Sequence, residues 1–183
     1  MGVVFLGIDP GLTGCVCVLD PDKNEVQFFD APVLEVVVSK KTKHVLDAYQ
    51  MVQILKDATA DKKVMVTIEK VQAMPGGGER SMGATSAFNF GMGYGLWLGI
   101  LAALALPYQT VHPATWKARC MSGCSKEKDA SREVAMRHYP QSAKFLTRKK
   151  DNGRSDSALI ARWGWLTYGG QPASKPKDSL FDE

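Results

Sequence analysis

The sequence predicts a single α/β domain in which three early strands are followed by alternating helices and strands. Its 183 residues suit one compact domain. With 45% hydrophobic and 23% charged residues, the chain can bury a core and is not expected to stay disordered. We expect residues 1–170 to form the domain and residues 171–183 to be a flexible C-terminal tail.

Two sets of hairpin-type turn residues, at 10–13 and 21–24, separate the first three predicted strands. These strands are residues 3–9, 14–20 and 26–31. Two further strands each follow a helix whose apolar residues have helical spacing. In order, these elements are helix 45–58, strand 64–69, helix 87–105 and strand 106–111. The last predicted helices are 127–138, which ends before Pro140, and 157–167.

The long apolar helix carries a stripe of small residues every four positions, on one helix face. The stripe consists of Ala87, Gly91, Gly95, Gly99 and Ala103. Such a stripe lets another backbone approach closely, either the sheet of the same chain or the same helix of a second copy. The sequence favours packing on the sheet. The apolar run 91–106 is shorter than the ~20 residues that a bilayer requires, so no membrane contact is expected.

Basic residues are concentrated in the second half of the chain. The net charge is only +4, but residues 111–154 hold 11 lysines and arginines against four acids. This excess favours a polyanionic substrate, and an ordinary solvated basic face is the alternative. The four cysteines lack a tight zinc-knuckle spacing, and no secretory signal is visible, which together favour reduced thiols in an intracellular protein.

Three carboxylates stand at the ends of predicted rigid elements. Asp9 ends the first strand, Glu69 ends strand 64–69, and Asp156 stands at the start of helix 157–167. Singly, they are explained as a turn former, a strand-end charge and a helix N-terminal acid. Together they would repel one another unless cations neutralised them, and hard oxygen ligands favour Mg²⁺ or Mn²⁺. The combination indicates a metal site, and two ions there could serve phosphodiester cleavage.

In this order, the three motifs resemble those of RuvC-type Holliday-junction resolvases of the ribonuclease H-like superfamily, close to the chloroplast branch. The motifs are GIDPGLTG at 7–14, TIEKV at 67–71 and RSDSALIA at 154–161, and the similarity runs from about residue 3 to residue 166. The resemblance implies a five-stranded mixed sheet, with the first three strands antiparallel and the last two parallel to the first. It also implies that residues 1–170 are a nuclease domain.

The same resemblance implies a crossover junction endodeoxyribonuclease. Such an enzyme acts on four-way DNA junctions as a homodimer, makes symmetric cuts and uses two Mg²⁺ or Mn²⁺ ions per active site. The expected location is intracellular, in the cytoplasm or nucleoid or in an organelle matrix such as that of the chloroplast. The alternatives are a broader nuclease for branched DNA or RNA–DNA hybrids, and a junction-binding protein without catalysis.

The resemblance assigns Asp9, Glu69 and Asp156 as catalytic metal ligands. The family commonly carries a fourth acid three residues before the last one, and that position is Gly153 here. The nearest acid is Asp151, five residues before Asp156, a spacing that resembles the chloroplast branch. We predict Asp151 as the fourth ligand; the alternative is that it compensates the basic residues beside it.

Several basic residues are predicted to contact DNA phosphates. Lys117 and Lys128 fall where resolvases of this kind carry phosphate-binding lysines. The further candidates are Lys126, Lys149, Lys150 and Arg154, and a second patch of Lys40, Lys41 and Lys43 precedes the first predicted helix and is expected to contact a flanking arm. Any of them could instead be an ordinary surface charge.

The loop after Glu69 is the predicted junction-sensing element. Residues 71–85 contain a Pro-Gly-Gly-Gly run that no regular element accommodates, so a mobile loop is expected. Resolvases of this type often insert an apolar wedge from this loop into the branch point. Met74 is the best candidate for that wedge, with Met82 as a substitute. A surface loop without this role is the alternative.

Overall fold

The computed structural model describes residues 2–72, 83–124 and 130–169. Its strands are β1 (Val3–Asp9), β2 (Cys15–Asp20), β3 (Glu25–Asp30), β4 (Val33–Val38), β5 (Lys41–Leu46), β6 (Lys63–Glu69) and β7 (Tyr108–Val111). Its α-helices are α1 (Ala48–Thr59), α2 (Ala84–Ala103), α3 (Pro113–Cys120), α4 (Ala130–His138) and α5 (Asn152–Tyr168). Two 3₁₀ turns, Pro140–Phe145 and Lys149–Asp151, lead from α4 to α5. The predicted tail at 171–183, Met74, Lys126 and Lys128 lie outside the described residues.

Five strands form one mixed sheet in the order β3-β2-β1-β6-β7. β1 to β3 pair antiparallel, whereas β6 pairs parallel with both β1 and β7. This arrangement confirms the predicted five-stranded sheet. Ile8 of β1 lies in register with Ile68 of β6, so the residues that follow them end their strands at the same edge. The parallel pairing therefore brings Asp9 and Glu69 to one edge of the sheet.

Helices cover both faces of the sheet, as the alternation of side chains along a strand requires. On β1, Leu6 and Ile8 belong to a buried cluster with α1 and α2, whereas Phe5 belongs to a second cluster with α3, α4 and α5. The two clusters make β1 the buried centre of a three-layer domain. No described helix has both the length and the apolarity needed to cross a membrane.

Helix α5 crosses β1 with its backbone almost touching the strand. A Cβ atom added at Gly7 would overlap the carbonyl oxygen of Ser157 and the amide nitrogen of Ala161. Gly164 is equally close to Thr67 of β6. Glycines on both elements therefore set the distance between α5 and the sheet.

Two helices begin at residues other than those predicted. Helix α1 begins at Ala48 instead of residue 45, because Val45 belongs to β5 and Asp47 caps the helix by accepting a 3.1 Å hydrogen bond from the amide of Gln50. Helix α2 begins at Ala84, three residues before the predicted start.

The last helix also begins earlier than predicted. Helix α5 starts at Asn152, so Asp156 lies more than a turn inside it and not at its N-terminus. Helix α3 was not predicted at all. It begins with Pro113 at the first helical position and buries Trp116 and Cys120, which are four residues apart on one face.

Residues 33–46 form a two-stranded antiparallel sheet that the sequence did not predict. Ser39 and Lys40 connect the strands with φ values of 51° and 63°. Two adjacent left-handed residues are the signature of a type I′ turn, which is usually marked by asparagine or glycine. Because neither residue type is present, the sequence carried no hairpin signal here.

The stripe of small residues on α2 does not pack on the sheet, so that prediction was wrong. Gly91, Gly95, Gly99 and Ala103 are exposed, and a Cβ added at any of the three glycines would meet no described atom within 4 Å. Helix α2 packs on the sheet through Trp97, Ile100 and Leu101. The stripe faces the opposite way because these large apolar residues occupy the buried face.

Candidate active site

Three carboxylates from three separate segments meet at the edge where β1 and β6 end. Asp9 and Glu69 are the last residues of these parallel strands. Asp156 directly precedes Ser157, the residue of α5 whose carbonyl oxygen lies against Gly7. The three charges interact: Asp156 and Glu69 both raise the pKa of Asp9, and Asp156 raises that of Glu69.

Asp9 is the most strongly perturbed of the three acids. Burial, reinforced by the neighbouring carboxylates, raises its pKa to about 7. The amide of Gly11 opposes this shift by donating a 3.3 Å hydrogen bond to Oδ1. An acid with a pKa near neutrality at the end of a buried strand is typical of a functional site.

Glu69 is oriented by a tryptophan. The fully buried Trp116 of α3 donates a hydrogen bond from its indole Nε1 to Oε2 of Glu69 at 2.6 Å. Burial raises the pKa of Glu69, and this hydrogen bond and the charge of Lys117 partly offset the effect. Helix α3 therefore fixes one of the two carboxylate oxygens of Glu69.

Asp156 has one oxygen atom without a partner. Burial raises the pKa of Asp156, while a hydrogen bond from Ser131 and the charge of Lys117 lower it. Oδ1 is buried and has no hydrogen-bond partner among the described residues. A buried carboxylate oxygen without a partner is costly, so it suits a ligand supplied from outside the chain.

Lys117 is a described cation whose charge acts on all three acids. Its charge lowers the pKa of Asp9, Glu69 and Asp156 alike. Its Nζ lies 5.1 Å from the ring centroid of Trp116, and the side chain is exposed. Several lysines were predicted to contact DNA. Among those that the structure describes, Lys117 is the one whose charge affects the pKa values of the three acids.

The three acids supply the oxygen atoms that a divalent cation prefers as ligands. Their side chains do not, however, converge closely enough to surround one as they stand. Among the described residues, no three His, Cys, Asp or Glu side chains form a group that could hold a metal ion as they stand. Mutual repulsion keeps bare carboxylates apart. The all-oxygen donor set and the unpartnered Oδ1 of Asp156 nonetheless match the preference of Mg²⁺ or Mn²⁺ for hard ligands.

Asp151 is not brought to this group. Its side chain is 3% exposed, and Oδ1 and Oδ2 accept hydrogen bonds from Arg148, including 2.8 Å contacts from the backbone amide and from Nη2. These bonds hold its pKa below the usual range. Asp151 is also absent from the charges that perturb the three acids. Its role as a fourth ligand therefore stays a prediction that requires this ion pair to open.

Gly153, at the position that often carries the fourth acid, is fixed by a close backbone contact. A Cβ there would overlap the carbonyl oxygen of Thr13 and approach Gly14. The turn that follows Asp9 therefore packs directly on the start of α5. This contact explains why the position has no side chain.

The remaining basic candidates divide into exposed and engaged residues. Lys149 and Lys150 are exposed on the 3₁₀ turn before α5. Arg154 makes a bidentate pair with Asp30, with both hydrogen bonds at 2.6 Å, and is 20% exposed. Arg154 thus ties α5 to the end of β3, and as it stands its guanidinium is not available for a phosphate.

Trp116 and Ser131 are the functional candidates that the sequence analysis missed. Ser131 also lies 3.1 Å from Ser155, oxygen to oxygen, within the buried contact between α4 and α5. The signal for Trp116 was the proline-initiated helix with apolar residues four apart, next to Lys117. No sequence signal marks Ser131.

This site lies on a known fold. No family model matches the chain. The structure of Thermus thermophilus RuvC in complex with a Holliday junction substrate superposes with a TM-score of 0.58 over 96% of this chain and 99% of that one, at 16% identity. A second Thermus thermophilus RuvC structure gives a TM-score of 0.51, over 97% of this chain and 100% of that one, at 15% identity. The chain is therefore an α/β domain with the ribonuclease H-like fold of RuvC.

One curated relative adds a match at the level of sequence. The chloroplastic Holliday junction resolvase MOC1 of Chlamydomonas reinhardtii is 35% identical over 69 residues, or 38% of this chain. The matched segment spans 8% of that relative's length. Together, the fold and this segment confirm the resemblance to RuvC-type resolvases that the three motifs predicted.

Proposed function

We propose that this protein is a structure-selective DNA endonuclease that resolves four-way junctions by cutting two strands symmetrically. The observation that carries the proposal is the convergence of Asp9, Glu69 and Asp156 at one edge of a RuvC-like sheet. A neighbouring basic segment, residues 111–154, supplies the charge that a polyanionic substrate requires. The matched Thermus thermophilus structure is a complex with a Holliday junction substrate, and the curated relative is a Holliday junction resolvase.

In this proposal Asp9, Glu69 and Asp156 hold two Mg²⁺ or Mn²⁺ ions. When bound, such a pair activates a water molecule and stabilises the leaving oxygen of a phosphodiester. The chain contributes the orientation of the acids: Trp116 fixes Glu69, and the Gly11 amide fixes Asp9. Asp151 joins as a fourth ligand if Arg148 releases it.

Lys117 is proposed to bind a non-bridging oxygen of the scissile phosphate. There it neutralises the charge that develops as the water oxygen bonds to phosphorus and the bond to the leaving strand breaks. Lys149, Lys150 and Lys126 bind flanking phosphates. Lys128 is proposed to bind a phosphate of the scissile strand, by its resemblance to a family position. Met74 is retained as the proposed wedge at the branch point.

A homodimer would place one active site on each of two opposing strands. The exposed face of α2 supports this assembly, because Gly91, Gly95 and Gly99 leave room for a second backbone while Phe88 and Met92 nearby are 69% and 54% exposed. Apolar surface of this kind is more often covered by a partner than left in water. We propose that this face is the contact between the two copies.

The decisive experiment compares wild type with Asp9→Asn on a labelled four-way junction, with and without Mg²⁺. Wild type should give paired symmetric nicks with metal, and Asp9→Asn should cut at least about 100-fold more slowly. Asp20→Asn is the matched control, since this aspartate also ends a strand but lies at the opposite edge of the sheet. Cutting by Asp9→Asn at the wild-type rate would refute the site.

The same assay separates the alternative functions. A fork, a flap and an RNA–DNA hybrid are tested at the same concentration as the junction. Equal rates on all of them would indicate a broader nuclease. Tight metal-independent binding of the junction, with no cutting by any form, would indicate a junction-binding protein without catalysis.

A further inference from the structure

The hairpin of residues 33–46, termed the ribbon from here on, has two faces of different chemistry. Residues directly opposite one another in an antiparallel pair share a face. The register pairs Leu34 with Val45, Val36 with Lys43 and Val38 with Lys41. These six residues form what we call the basic face. Glu35, the single acid of the ribbon, lies on the other face, opposite His44.

The basic face combines exposed aliphatic side chains with lysines that form no salt bridge to an acid among the described residues. Leu34 and Val38 are 47% and 46% exposed, and Lys41 and Lys43 are exposed beside them. The turn adds a third exposed cation, Lys40. A strand as apolar as β4 is normally covered by another surface. The lysines beside it require that this surface be able to neutralise positive charge. A second copy of the same face would repel it.

A DNA duplex offers the complementary surface. Its sugar–phosphate backbone pairs anionic oxygens with apolar sugar edges, and its major groove is wide enough for a two-stranded β-ribbon. Lysines that neutralise phosphates also release counterions, which gives binding a measurable dependence on salt. Charge therefore favours a nucleic acid over an apolar protein surface.

The ribbon is continuous with the candidate active site. Residues 43–46 form one wall of a cleft of about 770 Å³, and residues of α2 such as Asn89 and Phe90 form the other. Pro10–Thr13, the turn that directly follows Asp9, also lines this cleft. The cleft therefore joins the turn after Asp9 to the ribbon.

We propose that the ribbon is a DNA-binding arm, and that Lys41 and Lys43 hold phosphates of the duplex arm adjoining the scissile phosphate. This inference rests on the proposed function and extends it, because it locates the expected contact with a flanking arm on the basic face of the ribbon, away from the acids and the lysines before α5. It predicts that the protein binds more of the substrate than the strand that it cuts.

The test measures metal-free binding of a four-way junction, and of a plain duplex of the same arm sequence, at several salt concentrations. The variant is Lys41→Gln/Lys43→Gln, which removes charge and leaves the apolar pairs of the ribbon intact. The control is Lys56→Gln/Lys63→Gln, two exposed lysines at the end of α1 and the start of β6, which is the opposite edge of the sheet.

The variant should reduce the slope of log affinity against log salt by about 1.8 on both substrates, since each lost phosphate contact removes about 0.9. The control should retain the wild-type slope. An unchanged slope for the variant would overturn the proposal. If the variant also lost self-association, the ribbon would be a protein contact and not a DNA contact.

Failure of the proposed function gives a different result. A wild type that binds the junction no more tightly than the duplex, and cuts neither, refutes junction resolution. The difference in slope between the two lysine variants on the plain duplex still decides whether the ribbon contacts DNA.

Discussion

The indole Nε1 of Trp116 donates a 2.6 Å hydrogen bond to Oε2 of Glu69, across the contact between α3 and the end of β6. Because the tryptophan ring is fully buried, this bond gives the carboxylate a fixed direction. A buried side chain that orients a proposed metal ligand is a positioning residue, and its removal should affect the reaction more than the fold.

Trp116→Phe should slow junction cleavage about tenfold or more, because a hydrogen bond to a charged group contributes roughly 1.5–3 kcal/mol. Metal-free junction binding should stay unchanged. Trp97→Phe is the matched control: Trp97 is also fully buried, but its Nε1 has no partner among the described residues. Equal losses of activity in the two variants would mean that packing, and not the bond to Glu69, matters.

The free energy of unfolding of the metal-free protein should fall as the pH rises from about 4 to about 7. Folded Asp9 has a pKa of about 7 against a usual value of 3.8, so in this window the folded state holds a proton that the unfolded state releases. The fall is at most ~1.4 kcal/mol per pH unit for this group, and Glu69 and Asp156 act in the same direction.

Urea unfolding in a chelator measures this dependence. Asp9→Asn should flatten the fall, whereas Asp22→Asn in an exposed turn should retain it. A wild-type protein whose stability rises steadily over this pH range would show that burial at Asp9 has little effect.

Mn²⁺ or Mg²⁺ should raise the melting temperature of wild type, and by more at pH 8 than at pH 5. A cation and a proton compete for the same carboxylates, and ligand binding to the folded state stabilises it. Thermal unfolding reports this effect without any cleavage assay. Asp9→Asn should lose most of the shift, and a shift of equal size in the mutant would place the cation elsewhere.

Gly153→Ala should lower the free energy of unfolding by about 1–3 kcal/mol, because the added methyl group overlaps the backbone of Thr13. Gly99→Ala, also within a helix but with open space at its Cβ, should stabilise the monomer by about 0.5–1 kcal/mol through helix propensity. Chemical denaturation of both variants checks the contrast. Two variants that change stability in the same direction would contradict the close approach of the turn to α5.

Asp151→Asn should lower stability by about 1–3 kcal/mol while slowing cleavage far less than Asp9→Asn does. Its buried carboxylate accepts charge-assisted hydrogen bonds from Arg148, whose side chain is half exposed, and the variant weakens this pair. The measurement is the cleavage rate per folded molecule, with the folded fraction taken from circular dichroism. A loss of activity as large as that of Asp9→Asn would show that Asp151 is a ligand.

Gly95→Arg should convert a dimer to a monomer without lowering stability. The position faces open space on α2, and replacing glycine in a helix by arginine favours the helix by about 0.5–1 kcal/mol. Analytical ultracentrifugation of this variant and of Gln50→Arg, an exposed position on α1, compares the surfaces. Unchanged association for Gly95→Arg would move the proposed interface off α2.

Local patterns predicted the strands and the acids that end them, whereas the pairing of the strands in one mixed sheet was predicted from the resemblance to RuvC-type resolvases. Asp9 and Glu69 each end an apolar run, and parallel strands bring such ends together. The ribbon was missed because Ser39 and Lys40 adopt a left-handed turn without the usual turn residues. The ion pair between Arg154 and Asp30 was not predicted, because the two residues are 124 positions apart and local patterns do not connect them.

The stripe on α2 shows a further limit of pattern reading. Regular spacing identified one face of the helix, but Trp97 and Leu101 on the opposite face decided which side the sheet would cover. Burial of large side chains outweighs the close approach that glycines permit.

The glycine contact between β1 and α5 has a consequence for the metal-free protein. Since main-chain atoms at Gly7 and Ser157 fix how far the strand and the helix stand apart, the acids they carry cannot relax their repulsion by moving the scaffold. The unfavourable charge is built in when the chain folds, and we expect it to be relieved when the acids take up a proton or a cation.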